Sequence, residues 1–424
     1  MFIIRNFLLN SKNKDKSAYV WNTLSALFNS FQTVIILMVI SRIDPINDAG
    51  TFVIAYAVAN LLVMIGRYGI RQFQASDIEE QFSFSEYFIL RIITSVVMII
   101  LGCGYIFYMY HFGSYSSSKA AVVLLICGLR TLDAFEDVIH GMFQQHARLD
   151  ICGKILSIRY ITFISEYIII YFRSHNLILT SAVCLITNML LCLYMNTTIL
   201  KDFNHKKISP KAVNIKKLSI DCFPIFVSTF LMTYMGNAPK YAIDVALTSQ
   251  EQAQFNYIFM PVFIISLMST FIYQPMINRL SIIWAKHNMK HFWGLIAKQC
   301  VLISIMTLVV LAGGWLLGLP VLSIVYGVNL MTFKTEFMLL LLGGGCLAFV
   351  NFFTMIITIT RFQKYLIVGY AFISLLFFIL GKDVAVKYNI IGISAFYTLL
   401  MLLLAIIFFV YIIIIAKKSN KHHN

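Results

Sequence analysis

KAAVVLLICGLRTLDAFEDVIHGMF, residues 119–143, is long enough to cross a bilayer as a helix, yet it holds Arg130, Asp133, Glu136 and Asp137 within eight residues. The spacing of three then four lines Arg130, Asp133 and Asp137 along one helical face. An unpaired charge at the bilayer centre costs at least about 2.5–3.5 kcal/mol on insertion scales, so the cluster must be paired, hydrated or both. A buried ion-pair knot that only fixes helix packing is one reading. Three acids against one base leave an expected surplus of negative charge that such a knot does not require, and a polar path is the other.

The rest of the chain places this segment in a membrane. Hydrophobic residues make up 60% of the 424, charged residues 12%, and the mean hydropathy is +0.82, which excludes a water-soluble fold. Apolar runs predict spans at 18–41, 50–70, 86–110, 119–143, 153–173 and 177–200, then at 219–245, 255–279, 292–317, 334–360, 364–382 and 390–415. The fold expected is an all-α integral membrane protein of about twelve transmembrane helices in two six-helix bundles. Its divisions are an N-terminal segment 1–17, a bundle 18–200, a basic linker 201–218 containing Pro210, a second bundle 219–416 and a tail 417–424. Two such halves suggest parallel bundles with a substrate site between them near the midplane, opening to each side in turn.

With the N-terminus inside, the cytoplasmic segments hold 22 Lys and Arg and the opposite side 6, so both termini are expected in the cytoplasm. This topology also accounts for the net charge of +15, and no reading motif points to nucleic acid. The eight cysteines form no CxxC pair, so neither a disulfide framework nor a metal site is implied. The first apolar stretch is followed at once by Lys12, Lys14 and Lys16, and the first helix is expected to be retained.

Polar stripes mark the first helix of each half. Asn22, Ser25, Asn29 and Gln32 line one face, as do Thr229, Thr233, Asn237, Lys240 and Asp244. Both should face protein or water, either as a lumen or as glue between helices. Pro224, Pro239, Pro261 and Pro275 make the second half the expected site of helix bending. The fifth span adds Arg159 and Glu166, and the ninth adds Lys298; Arg159 and Lys298 also fit snorkelling to the interface. Arg130, Arg159, Lys240 and Lys298 form a candidate cationic lining for an anionic substrate. Asp133, Glu136, Asp137, Glu166 and Asp244 are candidates to titrate or bind a cation, with Asp137 and Asp244 exchanging partners with Arg130 and Lys240 respectively. No nucleotide loop, nucleophile elbow or zinc-protease motif is present, so no catalytic residue and no cofactor is assigned, and no enzyme is expected. Gly343, Gly344 and Gly345 read as a packing or flexing point.

The chain resembles the polysaccharide flippases of the O-antigen and capsule type (Wzx-type), in the MOP superfamily that also holds the MATE multidrug and toxin extruders. The likeness covers essentially the whole length and rests on the six-plus-six layout, on YGIRQFQASD (68–77), on NAPKYAID (237–244) and on MPVF (260–263). It implies movement of an undecaprenyl-pyrophosphate-linked oligosaccharide across a bacterial inner membrane, for O-antigen or capsule synthesis, beside a polysaccharide polymerase and chain-length machinery. In family terms the cationic lumen residues bind substrate, the role Arg130 and Lys240 match best and Arg159 and Lys298 less closely; the buried carboxylates are the candidates for proton or sodium coupling. A cation-coupled multidrug antiporter and a peptidoglycan-precursor flippase are the alternatives.

Overall fold

The structure, a computed structural model, describes residues 2–421 apart from 12, 45–46, 78–80, 201, 204–210, 274–275, 287, 361 and 363. Lys12, Pro210 and Pro275 lie outside the described residues. The described chain is helical throughout: α1 (Phe2–Leu9), α2 (Lys14–Ile43), α3 (Asn47–Arg67), α4 (Ile70–Ser76), α5 (Phe84–His111), α6 (Ser117–Gln145), α7 (Leu149–Ser174) and α8 (Leu177–Leu200). Then follow α9 (Ala212–Ala246), α10 (Ser249–Tyr273), α11 (Ile277–Ala285), α12 (Met289–Gly313), α13 (Leu319–Tyr326), α14 (Lys334–Ile359) and α15 (Lys364–Lys421).

Nine stretches among the described residues are long and apolar enough to cross a membrane. One of them, in α15, spans 55 residues. Asn389 interrupts it with non-helical φ 52° and ψ −148°, so it serves as two crossings, broken where the expected spans 364–382 and 390–415 are broken. The charge-bearing α6, of 29 residues, and α10, of 25, are long enough to complete a set of about twelve. Large apolar side chains stay exposed along α5 (Ile93, Val96, Ile100) and α15 (Phe378, Ile379), as a lipid-facing surface requires. This is a multi-pass membrane protein.

The chain divides into two compact units, residues 1–233 and 234–424. In the N-terminal unit, α6 packs against α3, α4, α5, α7 and α8, and α2 lies along α7. Local chemistry sets the starts: Ser116 caps α6 by accepting from Lys119 N, and Ser83 with Glu86 forms a reciprocal capping box on α5. The YGIRQFQASD stretch is a folded connector. Tyr68 stacks on Phe226 at 4.8 Å, and Gly69 takes φ 69°, where a Cβ would strike Ile225. Asp77 accepts from the backbone of Gln81 and Phe82 and from Tyr87 Oη at 2.8 Å. α1 is held by basic side chains at its C-terminal carbonyls: Lys154 donates to Phe7 O and Leu8 O, and Arg148 to Leu9 O.

In the C-terminal unit α14 is the central helix, packed against α10, α12 and α15. Its three glycines divide these neighbours among them. Gly343 lies against Tyr397 and Thr398 of α15, Gly344 against Val262 and Ile265 of α10, and Gly345 against Thr307 of α12. They are a packing device that lets three helices approach one backbone.

Gly344→Ala would place a methyl 3.0 Å from Ile265 and 3.3 Å from the Val262 Cα. The expected cost is about 1–3 kcal/mol, read as a lower midpoint in thermal unfolding of the detergent-solubilised protein. Gly104→Ala, with open space around it, is the control and should leave the midpoint unchanged or raise it slightly, as alanine favours the helix.

Candidate functional site

The charged turn of α6 is buried as expected: Arg130 and Asp133 are each 8% exposed, Asp137 7% and Glu136 0%. Four neighbouring helices answer it. Arg130 Nη1 donates to Asp133 Oδ2 at 2.7 Å on the same helix, while Arg159 of α7 reaches Asp133 Oδ1 at 3.1 Å and also bonds Glu136. Asn196 of α8 donates to the other Glu136 oxygen at 2.6 Å. Asp137 is held from the opposite side by Arg91 of α5 at 3.0 Å and by Arg71 of α4 at 3.4 Å.

This corrects the expected surplus of negative charge. Five guanidinium groups, those of Arg67, Arg71, Arg91, Arg130 and Arg159, lie within bonding or electrostatic reach of three carboxylates, an excess of two positive charges. A count confined to α6 could not see arginines brought in from other helices. Asp137 is likewise not paired with Arg130, and Lys240 and Asp244 form no ion pair with each other here.

Sequence reasoning missed Arg91. It is 0% exposed, and it donates to the Gly66 carbonyl near the end of α3 as well as to Asp137; Thr94 donates to the same carbonyl at 2.8 Å. A lone Arg seven residues into an apolar span was the available signal. His140 was missed too: it is 1% exposed, with Nε2 3.5 Å from Glu136 Oε1. Arg67 differs from its neighbours. It is half-buried, its Nε is shielded from solvent, and it has no hydrogen-bond or ion-pair partner among the described residues.

A small cavity with room for about one water opens beside the cluster. It is lined by Arg130, Asp133, Arg159, Gln32, Tyr56 and Asn188 among others, and Arg130 lies 5.0 Å from the Tyr56 ring. Gln32 is the member of the first polar stripe that lines it. The others are bonded mostly within α2: Asn22 donates to Ala18 O and, across to α7, to Leu149 O, Ser25 to Asn22 O, and the exposed Asn29 side chain accepts from Gln32. Glu166 accepts from Thr187 at 2.7 Å across α7 and α8, and its second oxygen is buried without a partner among the described residues.

In the C-terminal unit Lys240 is 8% exposed, with Nζ 5.8 Å and 5.7 Å from the ring centres of Phe259 and Phe263. Asp244 is 4% exposed one turn on, while Asn237 is half-buried. On the α9 stripe within the N-terminal unit, Thr229 donates to Ile225 O and Phe226 O, and Thr233 is half-buried. Lys298 is exposed and joins no cluster among the described residues.

No protein-family model and no curated sequence matches the chain. Solved structures do. A multidrug resistance MATE family transporter of the MOP superfamily, in an inward-facing conformation, aligns over 99% of both chains at 13% identity and TM-score 0.67. The lipid II flippase MurJ, in an inward closed conformation, aligns over 92% of this chain and 87% of its own at 13% identity and TM-score 0.72. A MOP superfamily transporter from Pyrococcus furiosus, described as having a binding pocket of reverse polarity, aligns over 96% of both at 13% identity and TM-score 0.56. The fold is that of MOP superfamily transporters.

Arg91→Leu removes the closer and fully buried one of the two arginines on Asp137 and leaves Arg71 at 3.4 Å. It should therefore destabilise the protein by about 1–3 kcal/mol, seen as a lower unfolding midpoint in detergent. Arg91→Leu with Asp137→Leu should recover most of the loss, and a double variant no better than the single one would mean that Arg91 acts through the Gly66 carbonyl instead.

Proposed function

We propose that the chain is a flippase that carries an undecaprenyl-pyrophosphate-linked oligosaccharide from the cytoplasmic to the outer leaflet of a bacterial inner membrane by alternating access, in O-antigen or capsule synthesis. The observation that carries this reading is the excess positive charge in the N-terminal unit together with an uncommitted guanidinium, Arg67. A pyrophosphate needs fork-shaped, permanently charged donors. Arg130 and Arg159 supply field while committed to Asp133 and Glu136, and Arg67 is free to bind. Lys240 gives the second unit a buried cation with no carboxylate at ion-pair distance among the described residues.

Glu166 suits ion coupling best among the acids of the N-terminal unit, because Asp133, Glu136 and Asp137 are all neutralised by arginine while one Glu166 oxygen has no partner among the described residues. A proton or sodium ion drives the cycle only if it meets different environments in the two states. Both termini and the 201–218 linker lie in the cytoplasm on this reading, as the 22 to 6 distribution of basic residues supports.

A flippase for a lipid-linked peptidoglycan precursor is the second reading, favoured by the likeness to MurJ. It shares the pyrophosphate chemistry, so the lipid substrate must separate the two. Positively charged drugs fit poorly beside an excess of arginine.

In proteoliposomes, the wild type should flip the undecaprenyl-pyrophosphate-linked oligosaccharide in preference to the peptidoglycan precursor. Arg67→Ala should lower the rate by about tenfold or more, and Arg67→Lys should retain part of it. Unchanged flipping in Arg67→Ala would remove the cationic reading. An imposed proton or sodium gradient should accelerate the wild type and leave Glu166→Gln unaffected; equal rates with and without gradients would show an uncoupled flippase. For topology, a periplasm-active reporter fused after Lys418 should be silent.

A further inference from the structure

The C-terminal unit contains buried polar groups that no interaction among the described residues satisfies. Gln252, Asn256, Phe259 and Phe263 follow one another on α10 at spacings of four, three and four, which is a single helical face. Gln252 and Asn256 are each 1% exposed, and both the oxygen and the nitrogen of each amide lack a hydrogen-bond partner. Tyr397 of α15, 0% exposed, meets Phe259 edge to face at 5.1 Å, and its hydroxyl also lacks a partner. Lys240 lies over the same Phe259 and over Phe263. Phe259 thus joins Lys240 and Tyr397 to the face of α10 that carries the amides, with Asn256 one turn and Gln252 two turns before it.

An amide taken from water and given no partner is a net destabilising element, and four such atoms on adjacent turns exceed what a packing role explains. Leucine would fill either position with no polar atom left over. The donor set also narrows the ligand. Amides and a phenol both donate and accept, which suits hydroxyl and acetamido groups, while aromatic faces suit the apolar face of a pyranose ring. The nearby Lys240 ammonium disfavours a metal cation. α10 has a built-in place to bend, because Pro261 cannot donate to the Tyr257 carbonyl one turn earlier.

We propose that Gln252, Asn256 and Tyr397 form a carbohydrate-contacting site in the C-terminal unit, closed in this structure and opened by movement of α10 about Pro261. The proposal rests on the reading of the substrate as a lipid-linked oligosaccharide and assigns its sugars to these residues.

The test uses the full chain in nanodiscs and two probes, undecaprenyl pyrophosphate and the same lipid bearing the oligosaccharide. Gln252→Leu and Asn256→Leu should each raise the unfolding midpoint, since each removes unsatisfied atoms. Each should weaken binding of the oligosaccharide-bearing lipid by about tenfold, the effect of about one hydrogen bond, and leave binding of undecaprenyl pyrophosphate unchanged. A leucine variant that is less stable than wild type and binds both lipids as wild type does would show amides satisfied by internal water, and would overturn the site. Should a leucine variant fail to fold, alanine at the same position is judged by the lipid-binding criterion alone. Wild type that binds both lipids equally overturns the sugar site and leaves the pyrophosphate reading standing; wild type that binds neither removes the flippase reading and this site with it.

Discussion

Three carboxylates on consecutive turns of α6 must be neutralised inside a low-dielectric bundle, and the N-terminal unit is arranged around that requirement. Arg91 comes from α5, Arg71 from α4, Arg159 from α7 and Asn196 from α8, while the Gly66 carbonyl of α3 accepts from Arg91 Nη1. Each contact fixes the rotation of a different helix about α6, because a one-residue slip would carry the partner about 100° away. Pulling α6 out of this set would leave charge that lipid cannot solvate. The network is over-answered by positive charge, and Arg67 is the part of the excess that stays uncommitted.

The spans were legible in the sequence because the bilayer imposes a length and a composition that apolar runs reveal directly. The break near Asn389 fell where charged residues thin the apolar run. The α6 cluster was legible as something needing an explanation, since charge in an apolar span is costly wherever it sits. Its partners were not. Spacing rules see neighbours three and four residues apart, so Asp137 was matched to Arg130 on its own helix rather than to Arg91, 46 positions away. For the same reason the sign of the local charge came out negative. Arg148 and Lys154 bind the C-terminal carbonyls of α1, contacts across 139 and 147 positions that no spacing rule reveals.

Thirteen per cent identity over nearly the full length of proteins with the same fold follows from what a membrane asks of a sequence. Backbone groups must be satisfied within helices, and outward faces need only be apolar, so many sequences meet the demand equally well. The fold therefore says little about cargo. Function has to be argued from the few polar groups that the bilayer would otherwise have selected against, and here these are guanidinium groups in one unit and amides in the other.

The largest polar clusters of the two units are held differently. In the N-terminal unit the α6 carboxylates each have a partner of opposite charge within 3.5 Å, and moving a helix there would break several strong contacts at once. In the C-terminal unit the side chains of Gln252, Asn256 and Tyr397 make no hydrogen bond among the described residues, and Lys240 meets aromatic faces. Displacing α10 therefore gives up packing and aromatic contacts and allows water to solvate groups that now lack a partner. Pro261 removes one backbone hydrogen bond from the same helix. Displacing a helix therefore costs less in the C-terminal unit, whose α10 contains Pro261. A fold whose N-terminal unit is tied by ion pairs and whose C-terminal unit holds amides with no partner among the described residues has its more and less firmly held parts set by electrostatics.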